Sequence, residues 1–115
     1  MAKKHFMCTH TWLNEDAKKQ GIELTSGMTE KEFFDSVKSD KAETIAHWMG
    51  KEDFFFCHWY AESADDIMDV LDKGGFHELM ITMPSEMPRF VTADNIQDKK
   101  LINPNDWVKF YKLQI

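Results

Sequence analysis

The run Phe54-Phe55-Phe56-Cys57-His58-Trp59-Tyr60 carries no formal charge and is the longest apolar stretch of the chain. It is far too short to cross a bilayer, and its length and aromatic content predict a strand reaching about Ala61. Just upstream, Glu43-Thr44-Ile45-Ala46-His47-Trp48-Met49 reads as a second strand, and Gly50-Lys51-Glu52-Asp53 between the two predicts a hairpin. A strand this aromatic needs a core to bury it. With 9 Phe, 4 Trp and 2 Tyr among 115 residues, 43% of them hydrophobic, such a core can be built, so disorder is excluded and one globular domain is expected.

Three further segments complete the pattern. His5-Phe6-Met7-Cys8-Thr9-His10-Thr11-Trp12 predicts a first strand, with Phe6, Cys8, His10 and Trp12 on one face. Asn14 then starts a turn or a short helix over Glu15 to Gln20, which Gly21 is expected to end, with Thr25-Ser26-Gly27 as a loop. Thr29 and Glu32 have capping-box spacing ahead of Phe33, Phe34 and Val37, which predicts a helix over 30–38 with Lys38 at the negative end of its dipole. Ser63, followed by Asp65 and Asp66, caps a second helix carrying Ile67, Val70 and Leu71, and Gly74-Gly75 stops it. His77 to Met83, closed by Pro84, reads as the last strand. The order is β-α-β-β-α-β, an α+β fold of ferredoxin-like type with a four-stranded antiparallel sheet.

The expected organisation is a ferredoxin-like domain over 1–84 and a C-terminal extension over 85–115. In the extension Asp106 to Leu113 is either a helix begun by Asn103 and Pro104 or an alternating strand. Trp107, Phe110 and Tyr111 are too apolar for solvent, so the extension is expected to pack on its own domain or on a partner subunit.

Charge and cysteine usage exclude several function classes. The 14 basic and 20 acidic residues leave a net charge of −6, and the lysines come as scattered pairs, which argues against nucleic-acid or membrane-surface binding. Cys8 and Cys57 have no CxxC spacing and are too few for a disulfide scaffold, so both read as buried thiols. No signal-peptide pattern opens the chain, and cytoplasm is the expected compartment.

The order of elements, with Phe56-Cys57-x-x-x-Ala61-x-Ser63 leading to Gly74-Gly75, resembles the dimeric α/β-barrel superfamily and, within it, small nickel-binding ferredoxin-like proteins. The resemblance covers about residues 5–83 and implies a homodimer in which two four-stranded sheets face each other, with ligands held between sheet and helices or between the sheets. That superfamily includes cofactor-free monooxygenases, isomerases, haem-handling proteins and metal binders, so the chemistry has to be argued from the site.

The five histidines carry that argument. His10, His47 and His58 lie on three predicted strands, His77 opens the fourth and His5 begins the first. In the order 4-1-3-2 the third strand lies between the first and second, so His58 could neighbour both His10 and His47, because opposed Cβ atoms are about 5 Å apart. A nickel, copper or zinc site through His10, His47, His58 and His77 is the first expectation. Register decides it: a two-residue turn puts His47 opposite His58 on one face, and an odd turn puts them on opposite faces. The plainer reading is that each histidine is a half-buried strand residue bonded to a carbonyl, Thr or Glu. Met80, Met83 and Met87 could supply soft thioethers, but a strand sends Met80 and Met83 to opposite faces, so packing is the better reading.

The alternative is a cofactor-independent monooxygenase or isomerase acting on an aromatic or polyketide-like small molecule. His10 and His58 would serve as general bases, with Trp12, Asn14, Trp48, Trp59 or Tyr60 shaping an aromatic pocket. A third possibility is an assembly partner whose sheet face is simply a dimer interface. No HExxH, phosphate loop or Ser-His-Asp order is present.

Overall fold

The computed structural model describes residues 2–106. β1 (Lys4–Trp12) leads through α1 (Glu15–Ser26) and α2 (Glu30–Ser36) to β2 (Ala42–Trp48), which pairs with β3 (Phe54–Ala61). α3 (Ala64–Lys73) and a 3-10 turn, Phe76–Glu78, then lead to β4 (Met80–Glu86). The four strands form one antiparallel sheet in the order β2-β3-β1-β4, an α+β arrangement compatible with the ferredoxin-like fold. Among the described residues no helix is long and apolar enough to cross a membrane.

Alternation builds the core. Phe6, Cys8, His10 and Trp12 of β1, and Phe55, Cys57, Trp59 and Ala61 of β3, turn to the helical side and are buried there. Ile67, Val70 and Leu71 of α3 close over them together with Val37, and Ile22 and Phe33 pack at the rim. The three helices begin where their caps predict: Asn14 accepts from the Ala17 amide, Thr29 and Glu32 form a reciprocal capping box, and Ser63 accepts from the Asp66 amide. After α3, Gly75 has φ +76°, the left-handed conformation in which a residue without Cβ is favoured.

Four local expectations are corrected. Gly21 does not end α1, which runs to Ser26; a Cβ at position 21 would lie 2.3 Å from the Trp12 ring, so the glycine is there for a close approach. α2 stops at Ser36, and Lys38 lies beyond it, paired with Asp35 at 3.0 Å rather than with the helix dipole. His77 falls in the 3-10 turn and not on the last strand. Pro84 sits within β4 opposite Cys8; β4 is an edge strand, where the missing amide of proline leaves no ladder bond unmade on the paired side.

Beyond β4 the chain folds back across the sheet's outer face. The Met87 amide donates to the His5 carbonyl at 2.8 Å, and the Phe90 ring covers His5 and His58. The segment from Trp107 onward, with Phe110 and Tyr111, lies outside the described residues.

Candidate functional site

Between the inner sheet face and the helices lies a small cavity of about 40 Å³. Its wall is almost wholly apolar and includes Trp12, Phe33, Phe55, Trp59 and Leu71, with His10 and His47 among them. The strand alternation that makes the core also places these imidazoles: His10 is an inner residue of β1, and His47 stands opposite the inner residue Cys57. Phe55 lies between the two, stacked on His10 at 4.8 Å and edge-on to His47 at 5.9 Å. Trp12 packs on the other side of Phe55, at 4.7 Å.

His10 is fully buried. Its Nδ1 lies 2.8 Å from Thr82 Oγ1 of β4, and its Nε2 has no protein hydrogen-bond partner. Burial, reinforced by the nearby His47 and His77, brings its pKa down to about 4, so the ring is neutral at pH 7. When Nδ1–H donates to Thr82, Nε2 is a lone-pair acceptor; when Thr82 O–H donates to Nδ1, Nε2–H is a donor. His47 is half-buried, and burial lowers its pKa against an opposing hydrogen bond with the Phe56 backbone. Its Nδ1 is 3.3 Å from Cys57 Sγ.

Three more cavity residues hold a buried polar atom without a protein partner: Trp12 Nε1, Thr44 Oγ1 and Trp59 Nε1. Unpaired buried polar atoms are costly, and their concentration on one cavity's lining marks a place able to hydrogen-bond something other than the protein.

The predicted histidine set is divided between the two faces of the sheet. β2 pairs with β3 so that Ala46, not His47, opposes His58, with a register shift between Thr44 and Ala46. His58 therefore faces outward, away from His10 and His47. There its Nε2 lies 2.9 Å from Nδ1 of His5, with Phe90 at 4.4 Å and Tyr60 next to His5 at 4.9 Å. Burial lowers the pKa of both, and His5 further lowers that of His58. His77 stays in its 3-10 turn with Nδ1 3.7 Å from Asp72. Among the described residues no three His, Cys, Asp or Glu side chains gather as a cation-holding group. Met80 is buried and Met83 exposed, on opposite faces as strand geometry requires.

Of the residues expected to shape an aromatic pocket, Trp12 and Trp59 line the cavity. Asn14 caps α1, Trp48 is exposed and Tyr60 lies on the outer face. Sequence reasoning missed Thr82, Cys57 and Gly21 as site residues. Only parity could have found Cys57, since alternation from Trp59 places it on the inner face. Thr82 depends on the register of β4, which begins at Met80 and not at His77. Comparison of the chain with protein-family models, curated proteins and solved structures finds no match.

Proposed function

We propose that the protein is a small enzyme that works without a bound cofactor on an aromatic or polyketide-like molecule held between sheet and helices, in the manner of a monooxygenase or isomerase. What supports this is the apolar lining between sheet and helices, with two imidazoles and several buried polar atoms that lack a protein partner; the space of about 40 Å³ is smaller than a ring system needs, so side chains of the wall have to move aside for it to enter. Flat ring systems gain from apolar enclosure, and a few polar groups suffice to orient them. His47, partly exposed, is the general base that removes a proton from the activated carbon or hydroxyl. The neutral His10, fixed by Thr82, hydrogen-bonds the oxygen on which charge develops. Trp12 and Trp59 offer indole N–H groups to the same ligand.

Titration with 1-naphthol and hydroxynaphthoquinones, followed by tryptophan fluorescence, tests binding. Oxygen uptake separates monooxygenase from isomerase, whose mark is proton exchange with solvent. Saturable binding with turnover lost in His47→Gln is expected; no saturable binding overturns the reading.

We further infer that the working form is a cytoplasmic homodimer joined through the outer sheet face. Across the strands Trp48, Phe56, Thr9 and Met83 stand in one row, and Phe54, Thr11 and Ile81 in another. These rows carry no acidic or basic side chain. Two copies that each bear a charge of −6 can meet there without opposing like charges. Met83 is 65% and Trp48 51% exposed, apolar area that a second sheet would cover.

Transition-metal binding is a second reading, favoured by one observation. His5 Nδ1 and His58 Nε2, 2.9 Å apart, can both reach a cation at about 2.0–2.1 Å with an angle of about 90°, which suits copper or nickel more than tetrahedral zinc. Water or the second copy would complete the shell. Equilibrium dialysis with each metal decides: binding lost in both His5→Ala and His58→Ala supports it, and no binding by the wild type removes it.

A further inference from the structure

His47 of β2, Cys57 of β3 and Cys8 of β1 stand in one row across the sheet, each the Cα partner of the next. Cys57 thus lies between an imidazole, with its Sγ 3.3 Å from His47 Nδ1, and a second free thiol. Register fixes how the two cysteines pair. Trp12 donates its amide to the carbonyl of Asp53, the residue opposite it in the same register, so these two are a hydrogen-bonded pair. Pair types alternate along an antiparallel ladder, and the even step from Trp12 back to Cys8 restores the type, which puts the Cα atoms of Cys8 and Cys57 about 5.5 Å apart. The other edge of β1 agrees. Cys8 then faces Pro84 in a non-hydrogen-bonded pair, where a residue without N–H leaves no bond unmade.

A Cα separation of about 5.5 Å suits a disulfide, but the Cβ atoms start about 5.5 Å apart and have to close to about 3.8 Å. A bridge there strains the ladder and is easily reduced, as reversible disulfides are and structural ones are not. Access distinguishes the two thiols. Cys57 lines the cavity of about 40 Å³, whereas Cys8 is 0% exposed and no part of its wall. Met49, 37% exposed, stands in the same wall, so the space reaches the surface. A water molecule takes up about 30 Å³ in the liquid, and hydrogen peroxide, with two linked oxygens, is a molecule of the size this cavity takes.

We propose that Cys57 and Cys8 are a peroxide-responsive thiol pair, with Cys57 as the thiol first oxidised, His47 as its base and Cys8 as the resolving thiol. The Cys57 proton passes to His47 Nδ1 as the sulfur attacks one peroxide oxygen. The O–O bond breaks, and the departing hydroxide takes the proton from His47 and leaves as water, so that Cys57 becomes a sulfenic acid. Rotation about its Cα–Cβ bond then turns the Cys57 sulfur from β2 towards β1. The Cys8 sulfur attacks it, the S–S bond forms, and the sulfenic hydroxyl leaves with the Cys8 proton as a second water. Net, two thiols and one hydrogen peroxide give one disulfide and two waters; the thiols lose the two electrons that the peroxide accepts.

Burial pushes the Cys8 thiol up to about 12 and raises that of Cys57 too, with Cys8 adding to the rise. Both are therefore protonated and inert toward oxidants in bulk water, and reaction requires entry to the cavity and a base in contact with sulfur. Cys8 has neither.

The test treats the folded full-length protein with hydrogen peroxide, blocks remaining thiols by alkylation in denaturant and maps the peptides by mass spectrometry without reduction. A linked pair of peptides carrying Cys8 and Cys57 is expected, and millimolar glutathione should return it to thiols. Cys8→Ser should stop at a sulfenic acid on Cys57 that dimedone traps, and Cys8→Ala repeats the measurement if the buried serine unfolds the chain. His47→Gln should slow the loss of the Cys57 thiol by about a hundredfold, the scale of a lost general base. Wild-type thiols untouched by peroxide, a sulfenic acid formed first on Cys8, a bridge found only between chains, a bridge that glutathione leaves intact or a rate unaffected by His47→Gln each overturns the proposal. The thiol pair needs no aromatic ligand, so saturable binding of 1-naphthol by a protein that forms no bridge overturns it and leaves the enzyme reading standing.

Discussion

Thr82 stands directly opposite His10 across β1 and β4, and its hydroxyl oxygen lies 2.8 Å from the imidazole Nδ1. One hydrogen bond between adjacent strands thus fixes the orientation of a fully buried ring in the wall of the cavity. Thr82→Val keeps the shape and deletes the partner, leaving Nδ1 unsatisfied, at a cost of about 1–3 kcal/mol. Urea unfolding at pH 7 measures it; a variant as stable as the wild type would show that the bond contributes nothing net.

Acid should weaken the fold through His10. Its pKa is about 4 in the folded chain against 6.5 as the ordinary value, so below pH 6.5 the unfolded state takes up the proton first. Stability from this group is therefore full above pH 6.5 and declines as pH falls towards 4, by about 3 kcal/mol in total. His5, His47 and His58 are also lowered by burial and add losses of the same sign. Unfolding free energies measured from pH 7 to 4.5 should fall less steeply for His10→Leu than for the wild type; parallel profiles would contradict the assignment.

Gly21→Ala sets two effects against each other. Alanine is the better helix former by about 1 kcal/mol in the interior of α1. Its Cβ, however, would fall 2.3 Å from Cζ3 and 2.4 Å from Cη2 of Trp12, a large ring already packed against Phe55. Overpacking of this kind costs about 1–3 kcal/mol, so net destabilisation is expected by thermal melting. A stabilised variant would mean that Trp12 shifts freely, which would also undo its place in the cavity wall.

Met83→Glu tests the outer face. Placing a carboxylate at the end of the row Trp48-Phe56-Thr9-Met83 should convert dimer to monomer in sedimentation velocity, because each copy would then present an acid to the other. A wild type that sediments as a monomer, or a variant that remains a dimer, would remove the interface.

Much of this architecture was legible in the chain because it depends on local rules. The caps at Asn14, Thr29 and Ser63 and the stop at Gly74-Gly75 are short-range chemistry, and alternation alone put Phe6, Cys8, His10 and Trp12 on one face. What failed depended on partners distant in sequence. Gly21 looks like a helix stop until Trp12 is seen against it. Pro84 looks like a strand end until β4 is known to be an edge. The histidine site turned on register: the irregularity between Thr44 and Ala46 and the pairing of His47 with Cys57 send His58 to the far side. A shift of one residue exchanges the faces of a strand, and no composition or spacing reports it.

On the proposed function, the space between sheet and helices opens to receive an aromatic molecule beside His10 and His47. The most direct test of that opening is an NMR titration of the 15N-labelled protein with 1-naphthol, following the indole Nε1–H signals. Trp12 and Trp59 line the cavity with unpartnered buried N–H groups, and Trp48 is exposed on the other face of the sheet. Saturable shifts of the Trp12 and Trp59 signals with Trp48 unmoved are predicted; no saturable shift, or a shift confined to Trp48, would contradict the account.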